Sequence, residues 1–294
     1  MEMVLKYRGR VVDEGGLDFI RALIQQHPTV SRRELSRRLC AEWNWVQSNG
    51  VACDMVCRGL LLRLERAGHL QLPPAKGTHV NPLAERRRPR RPEIDESLVS
   101  GKLKDLGPIE FRLVRRTPEE VLFNGLIEHH HYLGYTQPVG GQLKYMAYAM
   151  DRPLACLAWS SAARHLGPRD RFIGWSPEAR RCNIGFIAYN SRYLILPWVQ
   201  VPHLASHILG RMAALVPEDW EQLYGHRIYY LETFIDPERN KGTCYRAANW
   251  IPLGLTTGRG KDSTSRRPNR SLKQVLGYPV EKQFRRRLGE VSGS

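Results

Sequence analysis

Three groups of side chains have the types and spacing to do chemistry. The densest titratable cluster is Glu128-His129-His130-His131-Tyr132. In an extended segment His129 and His131 project from one face and His130 from the other. Two imidazoles on one face can bind a divalent metal or serve as acid and base. Tyr245, on a short helix expected after Gly242, is then a candidate nucleophile toward a phosphodiester. The alternative is that these histidines cap a helix and line a loop. A second group is acidic. Glu232 and Asp236 are four apart, so a straight strand puts both on one face. With Asp262 they could hold Mg²⁺ or another divalent ion for strand cleavage. Alternatively Asp236, before Pro237, is a strand-end turn residue. The third group is GTCYRAANW followed by TTGRGKD. Arg246 and Asn249 project from the short helix. Gly258 and Gly260 permit close backbone approach, and Arg259 and Lys261 would meet phosphates.

Charge indicates the partner of such a site. The 294 residues carry 45 Lys+Arg against 29 Asp+Glu, a net charge of +16. A surplus of this size attracts polyanions at long range. It is clustered: Arg86, Arg87, Arg88, Arg90 and Arg91 form one run, and Arg266, Arg267, Arg270, Lys273, Arg285, Arg286 and Arg287 crowd the C-terminal region. Clustering favours nucleic acid over an anionic membrane surface. No stretch approaches the ~18 apolar residues of a membrane span, and no secretory h-region opens the chain. The six cysteines, at 40, 53, 57, 156, 182 and 244, read as reduced thiols in a cytoplasm. Cys53 and Cys57 are four apart, but no second pair completes a zinc site, so they read as small buried residues. Tryptophans 43, 45, 159, 175, 198 and 250 could stack on unpaired bases, although most should be core.

The elements that must position these residues fall into two structured parts. Residues 1–74 read as helices. Leu17, Ile20 and Ile24 recur at helical spacing before Pro28. Ser31 with Glu34 marks a capping-box start, with Leu35 and Leu39 as the apolar positions behind it. Asn49-Gly50 signals a turn, a third helix spans about residues 51–66, and GHLQLPP reads as a turn into a short wing strand. Helix, helix, turn, helix, strand predicts a winged helix-turn-helix that binds double-stranded DNA. Its polar face carries Arg32, Arg33, Arg37, Arg38, Arg58, Arg63 and Arg66, able to neutralise phosphate or fork to guanine. Residues 75–97, with Pro82, Pro89, Pro92 and the arginine run, read as an exposed basic linker. Residues 98–294 read as a mixed α/β domain with a basic C-terminal extension. Strands are expected at 144–150, 154–161, 192–197, 227–235 and from 251, with helices at 203–216 and 242–250.

The order β-β-β-α-β-α-β resembles the GNAT-type N-acetyltransferase fold, and the chain as a whole is expected to be α+β. The resemblance implies coenzyme A held by a glycine-rich loop at a helix start. LPWVQVPHLASHIL occupies that place here. It has no glycine from Pro197 to His207, and Pro202 removes an N–H donor, which disfavours acyl transfer. The segments ELSRRLCAEWNW, HHYLGY, RPLACLAWSSAARHLGPRDRFIGW, NSRYLILPWVQVPHLASHILG and ETFIDPERNKGTCYRAANWIPLGLTTGRGK resemble the DruA-like family over residues 15–290. That resemblance implies a role in bacterial anti-phage defence or DNA mobility, with partner proteins of a defence system or mobile element. The expected function is DNA binding through the helical domain and the basic α/β domain, contacting duplex or single-stranded DNA. A transposase-like strand-cleaving enzyme is the main alternative.

Overall fold

The computed structural model describes residues 3–7, 10–47, 50–74, 88–258 and 271–291. Arg259, Lys261, Asp262, Arg266, Arg267 and Asn49 lie outside the described residues. The chain forms two compact units, Met1–Arg88 with Asp219–His226, and Pro89–Glu218 with Arg227–Ser294.

The first unit opens with an antiparallel ribbon, β1 (Met3–Tyr7) and β2 (Arg10–Asp13). Three helices follow: α1 (Glu14–Gln26), α2 (Arg32–Glu42) and α3 (Asp54–Arg66). Asp13 caps α1 by accepting from the Gly16 N–H at 2.8 Å. Leu17, Ile20 and Leu23 form its buried stripe. Ser31 caps α2, its hydroxyl accepting from the Glu34 N–H at 3.1 Å. Leu35, Leu39 and Cys40 of α2 are buried, as are Cys57, Leu60 and Leu64 of α3. The expected wing strand after α3 is absent, because residues 69–74 form no strand. Side chains hold this segment in place of a ladder. Arg32 donates from Nε to the Pro73 carbonyl at 2.7 Å and from both Nη atoms to the Glu65 carboxylate at 3.3 Å. The Leu72 N–H donates to the same carboxylate at 3.1 Å. The two-stranded ribbon of this unit precedes its helices instead.

In the second unit β3 (Val99–Ser100) runs parallel to β8 (Val199–Gln200). The main strands are β4 (Glu110–Leu113), β5 (Gln142–Ala149), β6 (Arg152–Ser161), β7 (Ile187–Ile195), β9 (Tyr230–Ile235), β10 (Ile251–Leu255) and β11 (Gln274–Pro279). They form one sheet in the order β10-β11-β9-β7-β6-β5-β4. Every pairing is antiparallel except β7 with β9. The helices are α4 (Glu120–His130), α5 (Gly167–Ile173), α6 (Pro177–Asn183), α7 (Leu204–Tyr224, whose residues from Asp219 on are counted with the first unit), α8 (Thr243–Ala247) and α9 (Phe284–Gly289). The expected β-β-β-α-β-α-β order is present as β5, β6, β7, α7, β9, α8 and β10. Strand β7 lies earlier than expected and stops before Pro197. Helix α7 continues through Pro217 because its apolar stripe goes on through Val216, Trp220 and Leu223, all buried. Residues 89–97, read as linker, form no helix or strand, yet they are tied to this unit. Arg152 donates to the carbonyls of Asp95 at 3.1 Å and Ser97 at 2.7 Å.

One core cluster joins Ile173, Ile187, Tyr230, Phe284 and Leu288. Gly277 on β11 faces Tyr230, and a Cβ there would overlap the tyrosine hydroxyl. We expect Gly277→Ala to destabilise the unit by about 1–3 kcal/mol through overpacking, measured by urea unfolding.

Candidate functional site

The parallel pair β7 and β9 is hydrogen-bonded only from Ile187–Tyr230 to Asn190–Thr233. Beyond this point the strands part, and a cleft of about 290 Å³ opens. The parting begins at a bulge. Ala158 of β6 pairs with Arg192 and Trp159 with Asn190, so Ser191 has no partner in the ladder. A bulge bends its strand and re-aims the neighbouring side chains. Asn190 fixes the distortion, its Nδ2 donating to the carbonyls of Ala158 and Arg192, each at 3.1 Å. Its Oδ1 accepts from the Tyr245 hydroxyl at 2.6 Å, and its carbonyl accepts from the Thr233 hydroxyl at 3.1 Å. Four chain segments line the cleft: residues 131–133, β7, the end of β9 with the following turn, and α8. Lys273 stands before β11. Arg192, Lys241 and Lys273 are its cations and Asp236 its anion.

The candidate catalytic residues divide around this cleft. His131, Asp236 and Tyr245 line it, whereas His129 and Glu232 do not. The extended-segment reading of the histidines is corrected: His129 and His130 form the last turn of α4 and His131 is its C-cap. The three rings therefore diverge. His129 Nε2 lies 3.1 Å from the Pro89 carbonyl, and His130 packs edge-on to Trp198 at 5.3 Å. His131 Nδ1 accepts from the Leu133 N–H at 3.2 Å. Burial, aided by nearby Arg192, lowers the His131 pKa to about 4, so its neutral ring carries the proton on Nε2. Tyr245 is buried, and burial raises its pKa well above the ordinary tyrosine value. It is held in the protonated form, the opposite of what a nucleophile needs.

Glu232 and Asp236 do not share a site. Glu232 is fully buried and accepts from Arg169 Nη1 at 3.1 Å, with Arg169 itself fully buried. Burial raises the Glu232 pKa to about 7 against the opposing charge of Arg169. Arg169 also binds Asp170 at 2.8 Å and the Ala163 carbonyl at 2.8 Å. Asp236 follows β9 and starts a turn, its carbonyl accepting from the Arg239 and Asn240 N–H groups at 3.1 and 2.9 Å. It lies where the turn reading put it and lines the cleft as well. Among the described residues no group of three His, Cys, Asp or Glu could hold a metal ion. The loop from Leu196 to Leu204 already uses its amides. Val199 N–H donates to the Leu196 carbonyl at 2.9 Å and Leu204 N–H to the Val201 carbonyl at 3.3 Å.

The candidate nucleic-acid residues also divide. Arg32 is bound to Pro73 and Glu65 as described. Arg38 is bound to Glu34 at 3.3 Å and His27 at 3.0 Å. Arg33 and Arg58 instead flank the buried carboxylate of Asp54 at 3.8 and 3.7 Å. Burial lowers the Arg58 pKa, and the charges of Arg33 and Arg37 lower it further. Arg63 and Arg88 are exposed. On α8, Arg246 is exposed and donates to Gln274 at 3.1 Å, while Asn249 is exposed in a left-handed conformation at φ +62°. Trp45, Trp159, Trp198 and Trp250 are buried and unavailable for stacking on bases. Sequence reasoning missed Lys241 and, above all, Arg192. Its only signal was a cation inside an apolar strand, and the bulge that turns it toward the cleft leaves no mark in composition.

The fold and site define a mixed α+β protein with a basic cleft where the parallel strands β7 and β9 part. Residues 84–276 match the family described as Druantia protein DruA. The chain belongs to this family, that of an anti-phage defence protein. No curated protein matches it. Similar solved structures are acetyltransferases. An N-acetyltransferase from Staphylococcus aureus Mu50 shows 10% identity over 59% of this chain and 99% of its own, with a TM-score of 0.36. A probable acetyltransferase from Staphylococcus epidermidis shows 12% identity over 59% and 100%, with a TM-score of 0.37. Nourseothricin acetyltransferase shows 13% over 59% and 99%, with a TM-score of 0.34.

Two outcomes follow for the buried and half-buried charges. Arg169→Met leaves Glu232 buried and unpaired, which should cost about 3–5 kcal/mol in urea unfolding. For His131, the folded state binds a proton less readily than the unfolded chain, whose value is near 6.5. Its stabilisation is complete above pH 6.5 and is lost as pH falls toward about 4. His131→Gln should flatten the stability profile across that window, read by thermal melts at stepped pH.

Proposed function

We propose that this DruA-family protein is a DNA-binding component of a bacterial anti-phage defence system or mobile element. In this reading α2 and α3 act as a helix-turn-helix reader of duplex DNA, and the GNAT-like unit adds further basic contacts. The observation that carries the reading is the arginine cluster on α2 and α3. Arg33 and Arg58 lie on either side of the buried Asp54 carboxylate, at 3.8 and 3.7 Å, and the Arg58 pKa is lowered by burial first and by the charges of Arg33 and Arg37 after it. The Nε–H of Arg58 is buried without an acceptor among the described residues. Like charges so gathered repel one another, and a row of phosphates relieves that repulsion while releasing counterions. The exposed Arg63 and Arg66 of α3 extend the same basic character.

The reading predicts salt-sensitive binding. The slope of log affinity against log salt is about −0.9 per phosphate neutralised. An Arg33→Ala/Arg37→Ala/Arg58→Ala variant should weaken duplex binding and make that slope shallower by about 2–3. Fluorescence anisotropy across a salt series measures both. Unchanged affinity and slope would remove the helices as the reader. Arg32→Ala should instead lower stability through loss of its Glu65 and Pro73 contacts.

A further inference from the structure

The cleft between β7 and β9 has a chemistry that the helical arginines do not explain. It brings three cations, Arg192, Lys241 and Lys273, to a concave site with one carboxylate, Asp236, among the described residues. Arg192 is partly buried. Its Nε and Nη1 donate to the carbonyls of Gly134 at 2.9 Å and Ser191 at 2.7 Å, so the guanidinium is fixed in orientation. Its Nη2 has no hydrogen-bond partner among the described residues. Neutral His131 adds an Nε2–H donor that brings no charge. Aromatic rings make up part of the remaining wall, beside aliphatic and small polar side chains. Tyr189 and Phe234 are neighbours across the two strands at 4.8 Å, and both are partly exposed. Tyr132 stands at the rim, 44% exposed, with the Arg239 guanidinium 5.3 Å from its ring centre. Fixed cations next to accessible aromatic rings are the combination that holds a phosphate and a planar base together. A cleft of about 290 Å³ is too small for a duplex and suits one small ligand.

We propose that this cleft binds a single nucleotide, its base against Tyr132 and the inner aromatic wall and its phosphate against Arg192, Lys241 and Lys273. The nucleotide comes from an unpaired DNA strand, the source that the DNA-binding reading implies. That part of the inference rests on that reading, while the cleft's affinity for a nucleotide does not. Asp236 on the same rim disfavours a second phosphate beside the first.

The test uses the full-length protein with three probes: a fluorescent single strand of about 12 nucleotides, a blunt duplex of about 20 base pairs, and free deoxyadenosine monophosphate. The variants are Lys241→Gln/Lys273→Gln and, separately, Tyr132→Ala, all at accessible side chains. The double variant should bind the single strand about tenfold more weakly, and Tyr132→Ala should do the same through lost stacking. Both should bind the duplex within about twofold of the parent. Binding of the monophosphate that both variants weaken, without any binding of the strand, supports the nucleotide site and assigns its source to a free nucleotide. Single-strand and monophosphate binding that neither variant changes overturns the cleft inference, even where the duplex is bound normally. Failure of the parent to bind either nucleotide probe also overturns it. Loss of duplex binding alone counts against the helical reader and leaves the cleft standing.

Discussion

The side chain of Asn190 carries the geometry on which the second unit depends. Two parallel strands that separate expose backbone groups needing new partners. Asn190 supplies several of them. It donates to the carbonyls of Ala158 and Arg192, accepts from Tyr245, and its own carbonyl accepts from Thr233. The bulge at Ser191, the orientation of Arg192 and the burial of Tyr245 all follow from that network. Without the bulge, Arg192 would stand one position out of phase, on the opposite face of the sheet.

Charge in this chain is engaged by the protein itself to very different degrees. Arg32, Arg38 and Arg169 are ligated by carboxylates and carbonyls of the protein and organise it. Lys144 belongs with them. It is buried in β5, where its ammonium meets Glu120 at 2.7 Å, Asn124 at 2.9 Å and the Tyr135 hydroxyl at 3.2 Å, which accounts for all three of its protons. Such groups have little capacity left for phosphate. Others are only partly engaged: Arg33 and Arg58 share the single carboxylate of Asp54, and Arg192 uses Nε and Nη1 on carbonyls and leaves Nη2 to the cleft. Net charge alone does not separate these degrees, because it counts an arginine inside the core and one on the surface alike.

Much of the local structure was legible in the residues. Ser31 and Glu34 announced the start of α2, the apolar runs of β5 and β6 announced strands, and Gly242 preceded the short helix α8 where one was expected. These features are local, set by capping chemistry, periodicity and glycine, so neighbouring residues suffice to read them. Other elements were not legible. The strand β4 is EFRL, four residues too short to show a period, and its conformation comes from pairing with β5. Helix α7 outruns its proline because burial of Trp220 and Leu223 outweighs one missing N–H.

The candidate site shows the same division. The sequence by itself determined which residues have usable chemistry, the basic surplus, and the β-β-β-α-β-α-β order that sets two strands side by side. Tertiary structure alone decided which of those residues meet. It sent Glu232 into an ion pair with Arg169, 63 positions away, and left Asp236 at the cleft. It scattered three consecutive histidines around a helix end and turned Arg192 inward. The physical reason is that pairing between distant segments depends on strand register and packing, and a one-residue bulge changes which face a side chain occupies without leaving any pattern in the residues on either side.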